Sequence, residues 1–222
     1  MVTSYSKYTD LKKVTQAFGL QLKRASLFAD MIHEIEPSAW LIECIRLAYK
    51  AGFDSEKERS ERLVSPVLTS LLSINDNELT IYSGHQLNVD KSRGLTGECD
   101  YLLSLGKKVI EVVQTPIFTV VEAKRQDMVW GTAQCAAQLV GANLYNISDN
   151  VNLPYLYGAT TDGIEWRFLK LENNVLTIAE EISSVEKLPK LLGQLQFLID
   201  DCKKFTFNTE GGHKPLVINT LI

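Results

Sequence analysis

The spacing of apolar positions changes character along this chain, helical at first, strand-like through the centre and helical again at the close. Across residues 9–52 apolar side chains recur every three or four positions, as Leu11, Val14 and Phe18 and then Leu27, Phe28, Met31, Ile32 and Ile35, which predicts helices. Gly19 marks a break, Pro37 opens the next helix with Trp40, Leu41, Ile45, Leu47 and Ala48 as its apolar side, and Gly52 is its stop. Residues 55–72 read as one long helix, capped by Ser55 with Glu58 three positions on, the spacing of a capping box. Pro66 inside that pattern predicts a kink or a split. The stripe is Leu63, Val64, Val67, Leu68, Leu71 and Leu72. At about 100° per residue, Glu56 and Glu61 lie on its opposite flanks, and periodicity does not choose between them as an inward-reaching acid.

After the turn cluster Asn75-Asp76-Asn77 the period shortens to two. Strands are expected over 79–89, 99–105 and 117–124, with 109–113 extended and Thr115-Pro116 interrupting. A helix over 131–145 carries small residues for close packing and sets Gln134 and Gln138 one turn apart. Strands over 155–161 and 164–171 are joined by Asp162-Gly163, a strong hairpin signal. Residues 175–179 continue the meander, 188–205 form a last amphipathic helix, and a tail begins at Gly211-Gly212. The expected fold is mixed α/β, a central sheet flanked by helices. It divides into an N-terminal helical extension (1–52), a core (53–205) and a C-terminal tail (206–222).

Composition narrows the function classes. With 222 residues and 45% hydrophobic content, the chain can bury one substantial core. No run of about 18 apolar residues predicts a membrane span, and the polar residues 1–10 lack the apolar stretch of a secretory signal. Cys44, Cys99, Cys135 and Cys202 are scattered without Cys-x-x-Cys spacing, as expected of reduced thiols in a cytoplasmic protein and not of a cysteine zinc site. A net charge of −4 argues against coating nucleic acid by bulk electrostatics. Any DNA contact must come from a local basic patch.

The candidate chemistry lies in Val120-Val121-Glu122-Ala123-Lys124, preceded by Asp100 in Gly97-Glu98-Cys99-Asp100-Tyr101. Side chains alternate along a strand, so Phe118, Val120, Glu122 and Lys124 share one face. A charge on a buried face is costly unless it is paired or binds a metal. If the two strands are antiparallel neighbours, Asp100 can face Glu122 with Cβ atoms about 4.5–5.5 Å apart. Carboxylates that close repel unless a cation lies between them.

Taken in order, these segments resemble the PD-(D/E)XK nuclease superfamily, most closely the nuclease-type domain at the N-terminus of type I restriction motor subunits. Ser55-Glu56 with Arg59 and Leu63-Val64-Ser65-Pro66-Val67-Leu68 resembles the family's first helix. Gly97-Glu98-Cys99-Asp100-Tyr101 resembles the strand bearing its metal-binding aspartate, and Val121-Glu122-Ala123-Lys124 its Glu-x-Lys. Gly131 with Gln134 resembles the following helix, and Thr160-Thr161-Asp162-Gly163 with Trp166 a closing hairpin. The likeness covers roughly residues 55–170, and Cys99 stands where the family's naming proline would be. It implies an αβββαβ restriction-endonuclease-like core and a hydrolase cutting DNA with Mg²⁺ (or Mn²⁺) held by Asp100, Glu122 and the Ala123 carbonyl, a ligand set that Mg²⁺ completes with water. Lys124 would hold or deprotonate the attacking water, with a pKa lowered beside the cation. The resemblance favours Glu56 over Glu61 as a supporting acid and assigns Gln134 to orient a phosphate or water. Arg125, Lys91 and Arg93 are candidate phosphate contacts. DNA is the implied partner, a double-strand cut would call for a homodimer, and a larger restriction or repair assembly is the implied setting. Two other readings stand beside it: a catalytically silent nucleic-acid-binding module, and a structural protein whose Asp100, Glu122 and Lys124 form a plain ion-pair network.

Overall fold

The computed structural model describes residues 4–28, 32–107, 112–124 and 128–206. Helix α1 (Leu11–Phe18) starts where the Asp10 side chain accepts a hydrogen bond from Lys12 N at 2.8 Å and stops at Gly19, which takes the left-handed φ of 64°. The helical expectation then fails. Gln21–Ala25 is a strand, β1, and residues 26–28 and 32–38 are not helical. Tertiary pairing explains the difference: β1 joins the sheet edge in parallel with β7 (Val175–Ser184), and those ladder bonds outweigh a weak local pattern. The apolar residues beyond it act as cover, Phe28 meeting Phe168 and Phe197 edge-on with centroids 5.0 and 5.9 Å away. Met31 lies outside the described residues.

Helix α2 (Ala39–Ala51) is capped by Ser38 and ends at Gly52 as its pattern predicts. The long helix carries its capping box at Ser55 and Glu58 and is broken ahead of Pro66. It runs α3 (Glu56–Arg59), a π turn (Ser60–Val64), α4 (Ser65–Ser70) and α5 (Leu72–Asn75). A proline ring clashes with the carbonyl four residues back; widening the preceding turn relieves that clash.

Seven strands form one mixed sheet: β1, β2 (Leu79–Gln86), β3 (Glu98–Leu105), β4 (Ile117–Ala123), β5 (Tyr155–Thr161), β6 (Glu165–Glu172) and β7, in the order β1-β7-β6-β5-β4-β3-β2. The pairs β1–β7 and β4–β5 are parallel and the others antiparallel. Helix α6 (Met128–Ser148) makes the β4–β5 crossover that parallel strands require. It is pinned by Asn146, whose amide bonds both Ile117 N (2.8 Å) and Ile117 O (2.7 Å). Helix α7 (Leu188–Thr206) is the last described element. The order helix, three strands, helix, strand expected of the core is present, with β7 longer than its pattern suggested. Of the expected extended run 109–113 only 112 and 113 are described, neither in a strand. The tail from 207, with His213, lies outside the described residues.

Tyr5, Val14 and Leu41 from the N-terminal block are buried in the same apolar cluster as Val120 and Leu139. All four cysteines are free. Among the described residues no helix is long and apolar enough to cross a membrane.

Candidate active site

Neighbouring β3 and β4 pair Tyr101 with Val121 and Leu102 with Val120; one further step in that register sets Asp100 opposite Glu122. Asp100 also tightens the junction, its Oδ2 accepting a hydrogen bond from Ala123 N at 2.7 Å. Glu122 is 1% exposed. Its Oε2 accepts a hydrogen bond from Gln138 Nε2 of α6 at 2.7 Å. Its Oε1 lies 3.0 Å from Lys124 Nζ as an ion pair but receives no aligned hydrogen bond. Lys124 follows the last residue of β4, fixed by its own N–H to Thr161 O at 2.7 Å. Its ammonium also reaches Glu56 Oε1 at 3.2 Å.

Glu56 reaches the centre because α3 is tied down over the strand ends. Arg59 Nη1 donates to Asp162 O (3.0 Å) and lies 3.6 Å from Asp162 Oδ2, while the Tyr101 hydroxyl donates to Ser60 O at 3.0 Å. The β5–β6 hairpin accepts the helix at Gly163, which has φ 92° and where a Cβ would stand 3.0 Å from Leu63 Cδ1; both facts require glycine. The ambiguity between the two helix acids is thereby resolved. Glu56 is the acid beside Lys124, while Glu61 pairs with Lys57 at 3.8 Å and lines the adjoining cleft.

Gln134 is half-buried and makes no hydrogen bond to Asp100, Glu122 or Lys124. Gln138, one turn on, is the glutamine that touches Glu122. The exchange was illegible in the sequence because α6 is buried on nearly all sides, which erases the face that periodicity would identify. Arg59 and Asp162 were not expected as positioning residues for the same centre; the sequence named them only as parts of the first-helix and closing-hairpin motifs. Arg125 lies outside the described residues, and Arg93 lies over the Phe18 ring with its guanidinium 5.0 Å from the ring centroid.

Electrostatics follow from the crowding. Burial, then the Asp100 charge, pushes the Glu122 carboxyl up to about 7 against the pull of Lys124 and Gln138. Burial raises Asp100 too, opposed by the Ala123 N–H and Lys124. Burial alone would lower the Lys124 ammonium, but Glu122, Glu56 and Asp100 more than reverse it and hold it above its ordinary value. That direction belongs to the arrangement without a cation, in which carboxylates surround the amine. Among the described residues no three His, Cys, Asp or Glu side chains converge as a ligand cluster. A divalent ion here would rest on Asp100, Glu122, the Ala123 carbonyl and water, as Mg²⁺ tolerates. The buried Oε1 of Glu122, lacking an aligned donor, fits such an ion. Beside the three residues opens a cleft of about 570 Å³ lined by Asp100, Ala123, Glu56, Glu98, Ser60 and Ser83. No family model matches the chain, and no curated protein matches it.

Proposed function

We propose that this protein is a Mg²⁺-dependent nuclease that hydrolyses DNA phosphodiester bonds, with the PD-(D/E)XK type of site that its motifs resemble. One observation carries the reading. The Lys124 ammonium lies 3.0 Å from Glu122 and 3.2 Å from Glu56 and also feels the Asp100 charge, so one ammonium cannot balance three ionised carboxyls, and without a cation Glu122 holds its proton more tightly. A cation supplies the balance, and an acidic cleft of this kind accepts a phosphodiester only with one present.

The chain's own groups then have separate tasks. Asp100 and Glu122 present oxygens from opposed positions of one ladder, and Gln138 holds the Glu122 carboxylate in its plane. Lys124, in its ammonium form, orients the attacking water and stabilises charge growing on the phosphoryl oxygens. Glu56 fixes the direction of that ammonium from the helix side. When bound, Mg²⁺ supplies neutralisation of the scissile phosphate and acidification of a water.

The test is direct. Labelled single- and double-stranded DNA is incubated with the protein and Mg²⁺ or EDTA. Cleavage is expected only with the metal, and Lys124→Ala is expected to slow it by about 10²-fold or more. Undiminished cleavage by that variant would overturn the assignment. Salt-sensitive DNA binding without cleavage under any divalent metal would assign the centre to a binding module instead.

A further inference from the structure

Two arginines that the proposed chemistry does not use line one cavity on the α6 face of the sheet. Arg24 of β1 and Arg167 of β6 border a cavity of about 240 Å³ whose other walls are Leu11, Ile178, Val129 and Thr132. Among the described residues neither guanidinium has an ion-pair or hydrogen-bond partner. Arg24 is exposed and Arg167 half-buried, so both guanidiniums are open to a ligand from solvent, and two like charges bordering one cavity favour an anion between them. Such a pair is offset by an anion, and guanidinium geometry suits a phosphate best.

Register relates this cavity to the carboxylate–lysine centre. Glu122 pairs with Thr160, and Thr160 with Arg167, so Arg167 stands two strands from Glu122 in the same row and on the same face. Two strand spacings amount to roughly 10 Å, the axial rise of about three nucleotides of a duplex strand. The first turn of α6 lies between, with Gly131 so close to Thr160 and Lys124 that a Cβ there would meet Thr160 Cγ2 at 2.5 Å.

We propose that the Arg24–Arg167 cavity binds a backbone phosphate of the DNA strand whose scissile bond lies at the carboxylate–lysine centre. The placement of the strand rests on the nuclease reading; the phosphate site itself rests on the two unpartnered guanidiniums. It gives an acidic protein the local basic patch that DNA contact requires.

The test is the salt dependence of binding of a fluorescent DNA oligonucleotide to the full chain, read by anisotropy in EDTA so that no cleavage intervenes. The double variant Arg24→Gln/Arg167→Gln should reduce the slope of log K against log salt by about 0.7–0.9, the share of one phosphate, and each single variant should reduce it by part of that. Arg24→Lys and Arg167→Lys should keep the slope. A purely structural role would weaken binding at every salt concentration and leave the slope alone, which would overturn the proposal, as would a wild-type chain that binds no DNA. Cleavage assayed in parallel with Mg²⁺ separates the two readings. Cutting by the wild type with unchanged slopes in the glutamine variants sinks the phosphate site alone. Absent cutting with reduced slopes sinks the nuclease reading alone.

Discussion

Glu122 carries a proton more readily in the folded chain than in the unfolded one, because burial and the Asp100 charge raise its pKa from the usual 4.5 to about 7. The sign of the consequence is definite. A raised folded pKa favours the fold while the group is protonated, and that contribution is lost as pH rises from about 4.5 through 7. At about 1.4 kcal/mol per pKa unit, the loss from this group is of order 3 kcal/mol. Urea unfolding in EDTA should therefore show stability falling across that window, and Glu122→Gln should flatten the fall. Since Asp100 and Glu122 interact, the measured midpoint belongs to the pair. Adding Mg²⁺ at pH 7 should restore stability to the wild type more than to Glu122→Gln, because a cation that binds the folded state draws the equilibrium toward it. An equal response in both proteins would remove Glu122 from the ligand set.

At the scale of elements, the centre depends on how closely α6 lies on the sheet. Gly131 permits that approach; a Cβ there would stand 2.5 Å from Thr160 Cγ2 and 2.9 Å from Lys124 Cγ. Gly131→Ala should cost about 1–3 kcal/mol from overpacking and displace Lys124, so DNA cleavage should fall further than the melting temperature alone explains. Asn146 sits at the far end of the same helix, its buried amide doing for Ile117 what a neighbouring strand would do. Asn146→Ala leaves a buried N–H and C=O unpaired, at about 1–3 kcal/mol each, and should lower stability without touching Lys124. Hydrogen exchange at Ile117 should accelerate in that variant. Elements were the most legible level of this chain. The Ser55 capping box, the break ahead of Pro66, the Asp162-Gly163 hairpin and the run of β4 all stand where local spacing and turn chemistry put them. Strand β1 was not legible, since five exposed or half-buried residues, Gln-Leu-Lys-Arg-Ala, carry no alternation and become a strand only against β7.

The whole molecule binds the N-terminal block into the main core. Tyr5, Tyr8, Val14 and Phe18 are buried, each contributing about 1.5–3 kcal/mol against the net stability of about 5–15 kcal/mol usual for a domain. Deleting residues 1–28 should remove that packing and strip β7 of its parallel neighbour, leaving a ten-residue edge open to pairing with other chains. Size-exclusion chromatography with light scattering should find aggregate in place of the wild-type species. What the sequence determined by itself was local: helix caps and stops, the period-two strands, the hairpin, and the Glu-x-Lys spacing at the end of one strand. Each depends on residues within a few positions of one another, where propensity and spacing act directly. Tertiary structure alone decided that Gln138 holds Glu122 and that Arg24 and Arg167 share a cavity, and it set Glu56, the acid the resemblance favours, beside Lys124. Those outcomes depend on sheet order and helix placement, set by the summed packing of residues far apart in the chain, and no local spacing encodes them.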